Sequence, residues 1–307
     1  MNALSNRRIA LLALASAALI AGCSKTPEPA KPATPAPAPA AAAPAPVAKV
    51  YVVGTDAAYA PFESQAPGGE IVGFDVDVVK AVAAKAGIEV KFINTPWEGI
   101  FKTLDTGERD MVVSAVTITD ERKLTMDFSA PYFNANQLIA VKEDSKVTKF
   151  DDLKKLKVGV QTGTTGDEVV QKLLGKTSTS IKRFESTPLA LKELEAGGVN
   201  AVVADNGVVQ HYIQNNPAAK FKSVSDASFT PEQYGMAMKK GNTELQKKIN
   251  DALSAIQSDG SLDAIHVKYF GAKPVATAAA TPAATPAATA PAAAPAAPAA
   301  SAASASK

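Results

Sequence analysis

Short strand-like apolar runs alternate with helix-period stripes between residues 50 and 115, and the alternation restarts at Lys157. Few architectures accept that pattern. Parallel strands need a crossover of a dozen or more residues, which an amphipathic helix supplies, so the chain is committed to an α/β fold. Residues 50–54 read as a strand ending in Thr55-Asp56. Gly73-Phe74-Asp75 leads into a helix with Val79, Val82, Ala83 and Ala86 on one face, capped by Gly87. Residues 89–94 form the next strand. Pro96 opens a helix carrying Trp97, Ile100, Phe101 and Leu104 and closed by Gly107, and residues 111–115 form a third strand.

Residues 137–142 read as an extended run that leaves this unit. The second unit has strands at 158–161, 180–184 and 200–204, a Gly163–Gly166 turn opening a helix at Asp167, and a helix from Thr187-Pro188 to Ala196. A further extended run covers 233–239, and two helices follow, one with Leu245, Ile249, Ala252, Leu253 and Ile256 inward. The expectation is therefore two α/β units with parallel-type sheets and helices on both faces.

The ends are of another kind. Arg7 and Arg8 precede an apolar run at 9–20, too short for a mature membrane span of about 20 residues, and Ile20-Ala21-Gly22-Cys23 closes it. Residues 1–23 thus read as a secretion signal resembling a bacterial lipobox, with Cys23 as the lipidated residue. Ser24 in place of Asp points to the outer membrane in a Gram-negative host. Residues 24–48 and 274–307 are dominated by Ala, Pro, Thr and Ser, which cannot bury a core. The first is read as a tether reaching up to about 80 Å at ~3.1 Å per residue, the second as a disordered tail. The folded part is then 49–273, about 225 residues. A net charge of +2 argues against nucleic-acid binding. His211 and His266 have no ligand-spaced partners, so neither a metal nor a cofactor is expected.

The polar residues worth weighing collect at strand ends, where open α/β sheets bind small ligands. In the first unit these are Asp56, Trp97 and the run Ser114 to Arg122; in the second they are the Gly163–Gly166 turn and Asp205. A guanidinium such as Arg122 grips a carboxylate bidentately. A turn at a helix start offers N–H groups to an anion, and without a following Gly-Lys-Ser/Thr it is no phosphate loop. Asp205 suits an ammonium. Each residue also has a plain structural role open to it: Trp97 as core, Asp56 as a turn residue, Asp205 as a helix cap.

Four segments in order carry a resemblance: residues 54–62 (GTDAAYAPF), 73–77 (GFDVD), 117–122 (TITDER) and 127–129 (DFS). The chain resembles the bacterial extracellular solute-binding proteins of family 3, the amino-acid receptors of ABC importers. The resemblance implies a two-lobe periplasmic-binding-protein type II fold, with two crossover strands as hinge. Lobe 1 would comprise 49–138 and 235–273, lobe 2 would comprise 139–234, and the crossings would fall near 138–141 and 234–238. It further implies that Arg122 takes an α-carboxylate with Thr117 and the N–H of Thr165, and that Asp205 takes the α-ammonium with Ser114. Tyr59 and Trp97 would sandwich the side chain, Asp56 would meet its distal end, and Ala115, Gln161 and Thr164 would complete the lining.

Asp56 with two aromatic faces favours a cationic side chain. Glutamine-binding relatives keep such an Asp but carry Lys and His where this chain has Gln161 and Ala204. The expected ligand is a basic amino acid, arginine before lysine or histidine, with glutamine or another polar amino acid as the alternative. The rival of a different class is a dehydratase-type enzyme on the same fold. The expected protein is not an enzyme. It is a lipid-anchored monomer of the periplasm or cell envelope, working with a membrane permease.

Overall fold

The computed structural model describes residues 49–271. The signal segment 1–23 with Cys23, the tether 24–48 and the tail 274–307 lie outside the described residues. Along the chain, β1 (Val50–Thr55) is followed by three short strands, β2 (Ala58–Tyr59), β3 (Glu63–Gln65) and β4 (Ile71–Val72). Next come α1 (Phe74–Ala86), β5 (Glu89–Asn94), α2 (Lys102–Thr106), β6 (Met111–Val112) and α3 (Asp120–Thr125). Three strands then run in succession: β7 (Met126–Phe128), β8 (Phe133–Ala135) and β9 (Gln137–Lys142). The second unit holds β10 (Val158–Gln161), α4 (Thr165–Leu174), β11 (Ile181–Phe184), α5 (Thr187–Ala196), β12 (Ala201–Asp205), α6 (Asn206–Asn215) and β13 (Phe221–Val224). The chain returns through β14 (Glu232–Tyr234) and β15 (Ala237–Lys239) to α7 (Thr243–Ser258) and α8 (Ser261–Phe270).

Two five-stranded sheets result, ordered β5-β1-β6-β15-β7 and β11-β10-β12-β9-β13. Each has a parallel βαβ centre, β5-β1-β6 in one and β11-β10-β12 in the other. Antiparallel edges complete both, through β15 on the first and β9 and β13 on the second. Between them, β8 and β14 pair antiparallel as a separate ribbon, Phe133 opposite Tyr234. This is the two-lobe architecture with its crossover pair. The ribbon occupies 133–135 and 232–234, whereas 138–141 belong wholly to the second sheet through β9 and β12.

Aromatic side chains dominate the core of the first lobe. Phe62, Phe74, Phe133, Tyr234 and Phe270 pack ring on ring with centroids 5.0 to 5.9 Å apart. Gly73 explains part of that arrangement. Its φ is +142° and a Cβ there would collide with the carbonyl of Phe62. Only glycine lets α1 start so close to β3, which sends Phe74 into the core and Asp75 behind the sheet edge. In the second lobe, Val158, Val160, Ala201 and Val203 pack on one face and Ala190, Leu191, Leu194 and Val202 on the other. A sheet covered on both faces needs such continuous apolar strands.

Two elements depart from the sequence pattern. The helix expected from Pro96 is regular only over Lys102–Thr106. Ahead of it the chain makes consecutive i→i+3 bonds, Ile100 to Trp97 and Lys102 to Gly99, because Gly99 sits at φ +85° and cannot extend an α turn. The inward stripe survives in Ile100 and Leu104, both buried. The extended run at 233–239 divides at Gly235-Met236 between the ribbon and the first sheet, where a Cβ on Gly235 would lie 2.8 Å from Ile118.

Candidate functional site

The strand expected at 111–115 leaves the sheet after Val112, and the site begins there. The N–H of Ala115 donates to Asp75 Oδ2 at 2.7 Å, not to a neighbouring strand, and Ala115 takes φ +47°. Ser114 turns its hydroxyl under the end of β1, where Oγ accepts from the N–H of Asp56 at 3.0 Å. Thr119 caps α3 by accepting from the N–H of Arg122, which fixes Arg122 in the first turn of that helix.

Asp56, Tyr59, Trp97, Ser114, Ala115, Thr117, Arg122, Gln161, Thr164, Thr165 and Asp205 line one cavity of about 320 Å³. The structure thus brings together all eleven binding residues named from the sequence. Four of them come from the second lobe, so both lobes form the walls.

Arg122 is half-buried. Its Nη1 donates to the carbonyl of Thr117 at 2.9 Å and its Nη2 to that of Gly163 at 3.4 Å. The guanidinium carbon lies 5.4 Å from the Trp97 ring and 5.3 Å from the Phe101 ring. Removal from water pulls its pKa down despite Glu168, Glu232 and Asp205 nearby. Among the described residues, no ion pair involves Arg122, Asp56 or Asp205.

Asp56 accepts from Gln161 Nε2 at 3.1 Å, across the lobes, and from the N–H of Trp97. Burial raises its pKa, and these two donors offset part of the rise. Asp205, at the end of β12, accepts from Tyr234 and from Gln137 Nε2, each at 2.5 Å, and from the hydroxyl of Tyr59. Its pKa is pushed up to about 6, by burial first and then by the charge of Glu232. Tyr59 is therefore a lining residue and a packed one, since its ring stacks on Phe62 at 6.2 Å.

Three residues that the pattern did not mark complete the polar network. Glu232, on the ribbon, accepts from Thr117 Oγ1 at 2.6 Å, Thr165 Oγ1 at 3.0 Å and Gln137 Nε2 at 2.9 Å. One carboxylate thus ties both lobes at the crossover. Glu63 and Asp75 lie behind Ser114 and Ala115. Period-2 alternation would place Glu63 on an exposed strand face, and nothing local says otherwise. Asp75 falls inside the GFDVD segment, but its position looks like a first-turn acidic residue.

The family model described as "Bacterial extracellular solute-binding proteins, family 3" matches residues 51–272. A probable histidine-binding protein of Neisseria gonorrhoeae is 47% identical over 223 residues, covering 72% of this chain and 83% of that one. Among solved structures, the arginine-, lysine-, histidine-binding protein ArtJ of Geobacillus stearothermophilus superposes with a TM-score of 0.71. It is 46% identical and covers 74% of this chain and 97% of its own. An ancestral amino acid-binding protein, described as a precursor of cyclohexadienyl dehydratase, has a TM-score of 0.65 and 39% identity, over 72% of this chain and 95% of that one.

Proposed function

Because the chain belongs to the bacterial extracellular solute-binding proteins of family 3, we propose that it captures one basic L-amino acid between its lobes and delivers it to the permease of an ABC importer. Arginine comes first, lysine and histidine behind it. The carrying observation is the charge layout of the cavity, where Arg122, Asp56 and Asp205 form no ion pair among the described residues. A ligand α-carboxylate answers Arg122, with Thr117 and the first amides of α4 at Thr165 beside it. The α-ammonium answers Asp205, and a side-chain cation answers Asp56. Two carboxylates and one guanidinium leave the lining one negative charge in excess, which a ligand of net charge +1 cancels.

Gln161 supports the same preference. It donates to Asp56 and is itself held by the hydroxyl of Thr187 at 3.0 Å. It adds no positive charge against a guanidinium. Glutamine would give Asp56 only neutral donors, so it is the weaker ligand of the same site. The two names quoted above for relatives, histidine-binding and arginine-, lysine-, histidine-binding, lie within this class.

The reading extends to the whole chain. Export by residues 1–23, lipidation of Cys23 and sorting to the outer membrane behind Ser24 would hold a monomeric receptor in the envelope on the 24–48 tether. Lobe 1 (49–138 and 235–273) and lobe 2 (139–234) would close on the ligand about the ribbon. Ligand drives such closure only through contacts it gains in the closed state.

The deciding experiment is calorimetric titration of protein stripped of ligand by unfolding and refolding, with Arg, Lys, His, Gln and Glu. Arginine is expected to bind most tightly. Tight glutamine and weak arginine binding would overturn the charge argument and leave the receptor role. Turnover of a prephenate-like carboxylate would instead support the enzyme reading, in which Asp205, near pKa 6, would be the acid–base group.

A further inference from the structure

Behind the cavity floor lies a second pair of acidic groups, outside the residues that line it. Glu63 on β3 is 0% exposed and Asp75 at the start of α1 is 1% exposed. Glu63 Oε1 accepts from the hydroxyl of Ser114 at 2.8 Å. Asp75 Oδ2 accepts from the N–H of Ala115 at 2.7 Å and from the hydroxyl of Tyr132 at 2.8 Å. The two remaining oxygens, Glu63 Oε2 and Asp75 Oδ1, meet no N–H or O–H donor among the described residues. Yet the two carboxyls are close enough for each to shift the other's ionisation. Two carboxylates have no hydrogen to place between them, and like charges in one buried site do not both ionise.

We propose that Glu63 and Asp75 share one proton as a buried acid–carboxylate pair, and that this pair is the positioning unit that fixes Ser114, Ala115 and Asp56 at the ligand site. With the proton on Glu63 Oε2, every polar atom of the pair is satisfied. Glu63 donates to Asp75 Oδ1, Asp75 keeps both acceptors on Oδ2, and Glu63 Oε1 receives Ser114. Ser114 then presents Oγ to the N–H of Asp56. Ala115 is held at φ +47°, a conformation a non-glycine residue keeps only when its surroundings enforce it. The positioning part rests on the amino-acid-binding reading; the shared proton does not.

The ionisable groups facing the pair are Asp56 at the end of β1, Tyr59 on β2 and Tyr132 ahead of β8, and none supplies a positive charge. Burial, joined by the charge of Asp75, holds Glu63 well above the carboxylate range, and burial lifts Asp75 to about 6. Both folded values exceed the unfolded ones. The stability linked to these protons is therefore complete below about pH 4 and is lost as pH rises through the folded values.

The test uses the full chain and four variants: Glu63→Gln, Asp75→Asn, the double variant and Glu63→Ala. Infrared difference spectra at neutral pH should show a protonated carboxylic acid in the wild type that is absent from Glu63→Gln. In each single amide, one NH₂ replaces the shared proton, so arginine affinity should stay within about threefold and the Ala115 and Asp56 amides should stay protected from exchange. In the double variant, two NH₂ groups compete for one acceptor and Ser114 loses its own. Affinity should fall at least about tenfold, as in Glu63→Ala, and both amides should exchange faster. A double variant that behaves like the singles would overturn the positioning role. An acid band that survives in Glu63→Gln, or is absent from the wild type, would overturn the shared proton. If arginine fails to bind the wild type, the ligand reading is at fault, while the spectra and amide exchange still decide the pair.

Discussion

The two walls of the cavity are built from the same βαβ centre but handle charge differently. On the first-lobe wall, Arg122 is served by main-chain carbonyls and lies against two aromatic rings, with carboxylates nearby but no ion pair to any of them among the described residues. On the second-lobe wall, Asp205 sits among three neutral donors, Tyr59, Tyr234 and Gln137, which hold its carboxylate against the pull of burial. One wall offers a fixed charge that waits for a partner. The other offers a charge that depends on pH near 6. The first wall should therefore set whether a ligand binds, and the second should set under what conditions.

The largest effect should follow removal of the fixed charge. Arg122→Ala is expected to weaken arginine binding by about 3–5 kcal/mol, the usual cost of deleting one partner of a buried, hydrogen-bonded pair. The ligand-free protein should melt no lower than wild type, because an unpaired guanidinium leaves a dry position. Titration and a thermal melt read both. Binding within tenfold of wild type would mean the α-carboxylate lies elsewhere.

Next comes Asp205→Asn, with an expected loss of about 2–3 kcal/mol and a distinct signature. In the wild type, Asp205 must be ionised to hold an ammonium, so arginine affinity should drop as pH falls below about 6 and binding near that pH should release a proton. The raised folded pKa also means that Asp205 costs the ligand-free protein stability as pH rises through 6, so the Asn variant should be at least as stable at pH 7. Calorimetry in buffers of different ionisation enthalpy detects the proton. If the variant still releases it, another group titrates, and the contrast between the walls fails.

How much of this was legible in the sequence follows the same division. The parallel centres could be read because period-2 and period-3.6 patterns are local. The cavity residues could be read because the strand ends carry polar side chains within an apolar frame, and the family segments gave them roles. What could not be read were long-range partners. Gly99 stops the Trp97 helix through its own dihedral, but the fraying of β6 after Val112 is decided by Asp75, 40 residues away. Glu232 looks like an ordinary acidic residue before an extended run. Only the pairing of β14 with β8 puts its carboxylate against Thr117 and Thr165.

Asp56 tests the first wall at its other charge. Asp56→Asn should lower arginine affinity by about tenfold to thirtyfold, the range of a charge-assisted hydrogen bond, and leave glutamine affinity nearly unchanged. The comparison of the two ligands is the readout, since a general loss for both would mark Asp56 as a structural residue.

The smallest effect should come from Glu232→Gln, and it probes the link between the walls. Its hydroxyl donors from Thr117 and Thr165 keep an acceptor in the amide oxygen, while the amide NH₂ replaces the oxygen that accepts from Gln137, whose Nε2 keeps Asp205 as acceptor. Arginine affinity at pH 8 should therefore change only about two- to threefold, roughly 0.5 kcal/mol. The midpoint of the acid loss should move further. Glu232 is the charge that raises Asp205 after burial itself, so neutralising it should carry that midpoint below 6 and leave Asp56 untouched. A midpoint that stays in place would show that burial alone tunes Asp205. The pH response would then belong to the second wall by itself, with no contribution from the crossover ribbon.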